Sequence, residues 1–93
     1  MGKESLTEQA VKKYAREKGC YVRKFKSPSQ RGVPDCLFLS PHGKVFFIEF
    51  KAPGKEPTDL QAREIREINN RSGNAHWTDC RIVGKKIVDL YLK

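Results

Sequence analysis

Gly32-Val33-Pro34-Asp35-Cys36-Leu37-Phe38-Leu39-Ser40-Pro41-His42-Gly43-Lys44-Val45-Phe46-Phe47-Ile48-Glu49-Phe50-Lys51 is the stretch whose reading decides the fold. It consists of two apolar strands joined by a tight turn, with three charged side chains, Asp35, Glu49 and Lys51, at their far ends. Taking an unpaired carboxylate out of water costs several kcal/mol or drives it to protonate, so carboxylates in such places imply a cation or a network of partners.

The turn predicts how these charges meet. In Ser40-Pro41-His42-Gly43, Pro suits the second turn position and Gly the left-handed one, the pattern of a three-residue hairpin loop with a bulge. Ser40 then faces Lys44, and counting back sets Leu39 against Val45, Leu37 against Phe47 and Asp35 against Glu49. Directly opposed Cβ atoms lie roughly 4.5–5.5 Å apart, so the two carboxylates repel unless a cation stands between them. Oxygen-only ligation suits Mg²⁺ or Mn²⁺ rather than zinc. Lys51 leaves the same face as Glu49, two residues on, and places an ammonium beside the metal. Metal, ammonium and water together form an arrangement for phosphodiester hydrolysis. The other reading is a cross-strand ion network at a sheet edge, in a basic nucleic-acid-binding module without catalysis.

Upstream, Ser5-Leu6-Thr7-Glu8 predicts a helix to about Lys18, stopped by Gly19, with Leu6, Ala10, Val11, Tyr14 and Ala15 on its apolar face. Glu8 falls at the edge of that face, where it could reach a site on the sheet. Ser-x-x-Glu is equally a capping box, in which Glu8 turns back to Ser5. Residues 20–26 alternate as a half-buried strand with one basic side, and Ser27 to Gly32 form a loop that is either a connector or a phosphate contact through Arg31. Downstream, residues 52–57 break the second strand without the spacing of a phosphate-binding P-loop. Thr58-Asp59-Leu60-Gln61 opens a second helix to about Ser72, with Gly73 as its stop and Leu60, Ile65 and Ile68 pointing inward. Gln61 lies within that apolar arc, and Thr58-x-x-Gln61 is again a capping-box pattern, so cap and site both remain open for it. Residues 75–83 read as a fourth strand ended by Gly84, and Lys86 to Leu92 as a short apolar element, helix or strand. His76 reads as a surface residue. A strand apolar on both sides, as 45–50 is, belongs in the middle of a sheet covered by helices. The predicted fold class is therefore α/β, a small mixed sheet flanked by helices in the order α-β-β-β-α-β plus a terminal element.

Ninety-three residues make one domain, 1–93. The net charge of +8 favours a polyanionic partner, and most of it lies before Asp35, where nine Lys and Arg stand against Glu4, Glu8 and Glu17. Three cysteines with no Cys-x-x-Cys pair argue against a disulfide framework or a zinc site and for a reducing intracellular compartment. No stretch approaches the roughly 20 apolar residues of a membrane span. Ile87, Val88, Leu90, Tyr91 and Leu92 are more apolar surface than a small monomer easily covers and point to a homodimer.

Pro34-Asp35 followed by Glu49-Phe50-Lys51 resembles the signature of the PD-(D/E)XK nuclease superfamily. With Gly32, with Glu8 in a first helix and with Gln61 in a second, the chain is similar over nearly its whole length to the VRR-NUC branch, which includes stand-alone phage proteins. The resemblance implies a restriction-endonuclease-like core and a metal-dependent, structure-selective DNA endonuclease of the host-cell cytoplasm, acting as a homodimer on branched DNA such as four-way junctions. It implies that Asp35, Glu49 and the backbone carbonyl of Phe50 hold Mg²⁺ or Mn²⁺, that Lys51 positions or activates the attacking water, that Gln61 orients groups around it, and that Glu8 adds a direct or outer contact to the metal. Arg23, Lys24, Lys26, Arg31 and Lys55 are the expected DNA contacts. An RNA substrate is compatible with the same residues, because phosphate contacts carry no sugar preference.

Overall fold

The computed structural model describes residues 2–25 and 31–93. The elements run α1 (Lys3–Glu17), β1 (Tyr21–Lys24), β2 (Cys36–Leu39), β3 (Val45–Phe50), α2 (Asp59–Asn69), β4 (Ala75–Thr78) and α3 (Arg81–Leu90). The four strands form one sheet in the order β1-β2-β3-β4, antiparallel except for the parallel β3–β4 pair. This is the mixed α/β arrangement expected from the sequence.

The hairpin has the expected register, with Leu39 opposite Val45 and Leu37 opposite Phe47. Ser40 N–H donates to the Lys44 carbonyl at 2.8 Å and Gly43 N–H to the Ser40 carbonyl at 3.0 Å, which closes the three-residue loop. Phe38, Phe46, Ile48 and Phe50 are buried, and Phe38 stacks on Phe46 with ring centroids 4.9 Å apart. Against them pack Val11 and Ala15 of α1, Val22 of β1 and Ile87 and Val88 of α3. The opposite face is only half covered. Leu37, Leu39 and Phe47 are partly buried, Val45 is exposed, and no residue of α2 is fully buried, so Leu60, Ile65 and Ile68 are less enclosed than their spacing predicts.

Several expectations need correction. The helix α1 begins at Lys3 with Gly2 as its N-cap, which places Ser5 inside the helix, and the Ser5–Glu8 capping box does not form. Leu6, assigned to the apolar face, is 58% exposed. The fourth strand stops at Thr78, whose Oγ1 accepts from Cys80 N–H and donates to the Cys80 carbonyl, turning the chain out of the sheet. Ile82 and Val83 therefore lie in α3, and Gly84 is not a stop but a buried helix residue, where an added Cβ would stand 2.5 Å from Val11 Cγ2. The close approach of α1 and α3 requires it. Ile87 and Val88 consequently fill the core, so they supply none of the exposed apolar surface from which a homodimer was inferred. His76 is not a surface residue either; its Nε2 shares a hydrogen bond with the Tyr91 hydroxyl, and burial lowers its pKa.

Candidate active site

β3 delivers Glu49 and Lys51 to the end of the sheet, and the Gly32-Val33-Pro34-Asp35 segment delivers the second carboxylate. Pro34 is fully buried and Phe25 N–H donates to the Asp35 carbonyl at 2.9 Å, which fixes Asp35 one residue before β2. The β2–β3 register pairs Cys36 with Ile48, and one further step sets Asp35 opposite Glu49.

Asp35, Glu49 and Phe50 line a small polar recess of about 120 Å³ together with Glu4, Ser5, Glu8 and Lys24. The start of α1 thus lies over the end of β3 and brings Glu8 to the same place as the two sheet carboxylates. Glu8 is not a cap. Its side chain, 16% exposed, is held by Lys12 at 3.3 Å and by Lys24 at 3.2 Å. Glu4, one helical turn before Glu8, was not singled out from the sequence, although the i,i+4 spacing puts both on one face.

The electrostatics of the recess are asymmetric. Burial first, then the negative charge of Asp35, pushes the Glu49 carboxyl up to about 7, against the pull of Lys51. Burial pulls the Lys24 ammonium down, but the hydrogen bond and charge of Glu8, aided by Asp35, outweigh it and leave its pKa raised. Burial first, then the negative charges of Glu8 and Asp35, pushes the neighbouring buried Cys36 thiol up to about 12, which favours the neutral thiol. Among the described residues, neither Asp35 nor Glu49 forms an ion pair, and Lys51 pairs with no carboxylate. Lys51 Nζ donates instead to Gln61 Oε1 at 3.2 Å.

Gln61 is a cap, and its side chain also reaches Lys51. Its backbone N–H donates to Thr58 Oγ1 at 3.2 Å and its side-chain oxygen accepts from Thr58 N–H at 2.9 Å, a complete capping box that also holds Lys51.

The donor set fits a hard divalent cation that keeps part of its water shell. Two opposed carboxylates, one of them destabilised in its charged form by burial and by the other, gain most from a cation between them. No group of three or more His, Cys, Asp or Glu side chains among the described residues could form a protein-only cage. A pair of carboxylates with a backbone carbonyl such as that of Phe50 suits Mg²⁺ or Mn²⁺ better than zinc.

Of the expected DNA contacts, one lines this recess and another a neighbouring cavity. Lys24 belongs to the recess, Lys55 lines the neighbouring cavity with Lys51 and Lys3, and Arg31 is exposed just before the Asp35 segment. Arg23 lies over the Tyr21 ring, 4.1 Å from its centroid. Lys26 and the loop residues 27–30 fall outside the described residues.

No family model matches the chain. It is 45% identical over 63 residues to "Putative nuclease p44" of Acyrthosiphon pisum secondary endosymbiont phage 1, a match that covers 63% of this chain and 68% of that protein. A solved structure described as a VRR_NUC domain superposes with a TM-score of 0.87 at 26% identity, covering 98% of this chain and 99% of the other. With a sequence relative described as a nuclease and a near-full-length match to the VRR_NUC fold, the chain belongs to the VRR-NUC family of nucleases.

Proposed function

We propose that the protein is a metal-dependent endonuclease that hydrolyses DNA phosphodiester bonds. The observation that carries this reading is the convergence of Asp35 and Glu49, free of ion-pair partners among the described residues, on one polar recess next to the Gln61-held ammonium of Lys51. Asp35, Glu49 and the Phe50 carbonyl would hold Mg²⁺ or Mn²⁺, which when bound supplies charge for the phosphate oxygens and an acidified water. Lys51 offers an ammonium to the phosphate or to the attacking water, while Glu8, anchored by Lys12 and Lys24, contributes negative charge to the metal or its hydration shell. Lys55, in the cavity that also holds Lys51, and exposed Arg31, four residues before Asp35, would contact the adjoining phosphates, in keeping with the +8 net charge.

Specific observations disfavour the non-catalytic rival. A structural ion network would pair Lys51 with Glu49 or Asp35, whereas among the described residues Lys51 bonds an amide and neither Asp35 nor Glu49 has an ion-pair partner. Structure-selective cutting of branched DNA by a homodimer extends the proposal on the family resemblance; exposed Leu6, Ile82 and Val83 offer apolar surface on α1 and α3 for such a contact. The test is incubation of the purified protein with duplex, single-stranded, flap and four-way-junction DNA, and with RNA, in Mg²⁺, Mn²⁺ or EDTA. Cleavage in metal that ceases in EDTA is the expected result, and no cleavage of any substrate in either metal would overturn the reading.

A further inference from the structure

Gln61 uses one oxygen for two bonds. Thr58 N–H and the Lys51 ammonium both approach its side-chain amide, at 2.9 and 3.2 Å. Both are donors, so the atom facing them must be Oε1, and the orientation of the amide follows from chemistry alone. A carbonyl oxygen has two lone pairs, and both are engaged. Gln61 therefore has no acceptor left for an attacking water.

The other end of this link is equally constrained. Thr58 Oγ1 accepts from the Gln61 backbone N–H and locks the first turn of α2 in place. That turn lies against the segment leading to Asp35. Gly32, with φ +81°, sits so close that an added Cβ would stand 2.9 Å from Leu60 Cγ, 3.0 Å from the Leu60 carbonyl carbon and 3.1 Å from the Gln61 nitrogen. The Asp35 segment and the α2 cap are thus in direct contact, three residues from the carboxylate on one side and one hydrogen bond from Lys51 on the other.

A lysine ammonium is a point charge on a flexible four-carbon stem, and left alone it samples many rotamers. We propose that Gln61 acts through Lys51 rather than on the reacting atoms, and that Thr58 and Gly32 are positioning residues which hold the α2 cap so that the Lys51 ammonium stays in register with the Asp35–Glu49 recess. The kinetic consequence rests on the nuclease reading; the positional one does not.

Thr58→Ala, Thr58→Ser and Gly32→Ala test this in the full-length chain, each measured well below its own melting temperature. In Thr58→Ala, kcat for DNA cleavage falls at least about tenfold, as expected for a misplaced reacting group, while KM and Mn²⁺ affinity stay unchanged; Thr58→Ser restores kcat to near the parent value. Lysine-selective NMR supplies a readout without activity: the Lys51 ammonium signal is protected from exchange in the parent and in Thr58→Ser and is lost in Thr58→Ala. Gly32→Ala behaves as Thr58→Ala does; if that variant fails to fold, the two Thr58 variants carry the test. Retention of both kcat and the ammonium signal in Thr58→Ala overturns the inference, as does an equal loss of DNA affinity and kcat, the mark of a merely structural role. A parent that does not cleave but shows the predicted ammonium pattern sinks the nuclease reading and leaves the positioning of Lys51 standing.

Discussion

The Lys24 ammonium reaches both carboxylate oxygens of Glu8, at 3.2 and 3.3 Å, and so ties the first helix to the edge strand β1 directly beside Asp35 and Glu49. Because Glu8 makes no helix cap, replacing its charge tests the site rather than the helix. Glu8→Gln is expected to lower cleavage at least tenfold, equivalent to about 1.4 kcal/mol in the barrier. Stability falls by about 1–2 kcal/mol, since the mostly buried pair with Lys12 and the half-exposed one with Lys24 lose their charge partner while the Gln amide can still accept from either ammonium. Paired rate and urea-melt measurements check it; unchanged cleavage at saturating Mg²⁺ would remove Glu8 from the chemistry.

Asp35→Asn and Glu49→Gln are each expected to abolish cleavage while DNA binding is retained or strengthened. The amides cannot balance a divalent cation, and removing a negative charge lessens repulsion of phosphate. Gel-shift and cleavage assays on the same preparations separate the two effects, and a parallel loss of binding would point to a structural role for the pair.

The raised pKa of Glu49 makes the metal-free protein sensitive to pH. A carboxyl whose pKa rises from 4.5 to about 7 on folding binds its proton more tightly in the native state. Its contribution to stability is then complete below pH 4.5 and is lost as pH climbs through about 7. Water reaching this half-buried group screens the effect to about 1–2 kcal/mol. The stability of the parent minus that of Glu49→Gln should therefore fall across this window in EDTA, and Mg²⁺ should restore it at the alkaline end. A difference that is flat with pH and insensitive to Mg²⁺ would contradict the electrostatics described for the recess.

Gly84 offers a test of the packing. Gly84→Ala puts a methyl 2.5 Å from Val11 Cγ2, inside the α1–α3 contact, and is expected to destabilise the fold by about 1–3 kcal/mol. Thermal melts followed by circular dichroism check it, and a melting temperature equal to the parent's would show that the two helices separate at little cost.

Much of the site was legible because a tight turn sets register. Pro41 and Gly43 define the hairpin loop, and counting from that loop places Asp35 against Glu49 without any tertiary information. The helices were harder to read. Glu8 has the spacing of a capping box, and nothing local reveals that α1 starts two residues before Ser5, with an uncapped Gly2 at its head. In α3 the residues Gly84, Ile87, Val88 and Tyr91 have helical spacing, but the β-branched Ile82-Val83 pair imitates a strand and Gly84 imitates a stop. What keeps that glycine is a neighbouring helix, which local pattern cannot show. Lys24 illustrates the same limit: alternation put it on a basic strand face, whereas α1 lying over that face turns it into the partner of Glu8.

If Asp35 and Glu49 together hold a divalent cation, calorimetric titration of Mn²⁺ gives saturable binding to the parent and to Lys51→Ala, and none to Asp35→Asn or Glu49→Gln; equal binding to all four, or none to the parent, would contradict a metal shared by the two carboxylates.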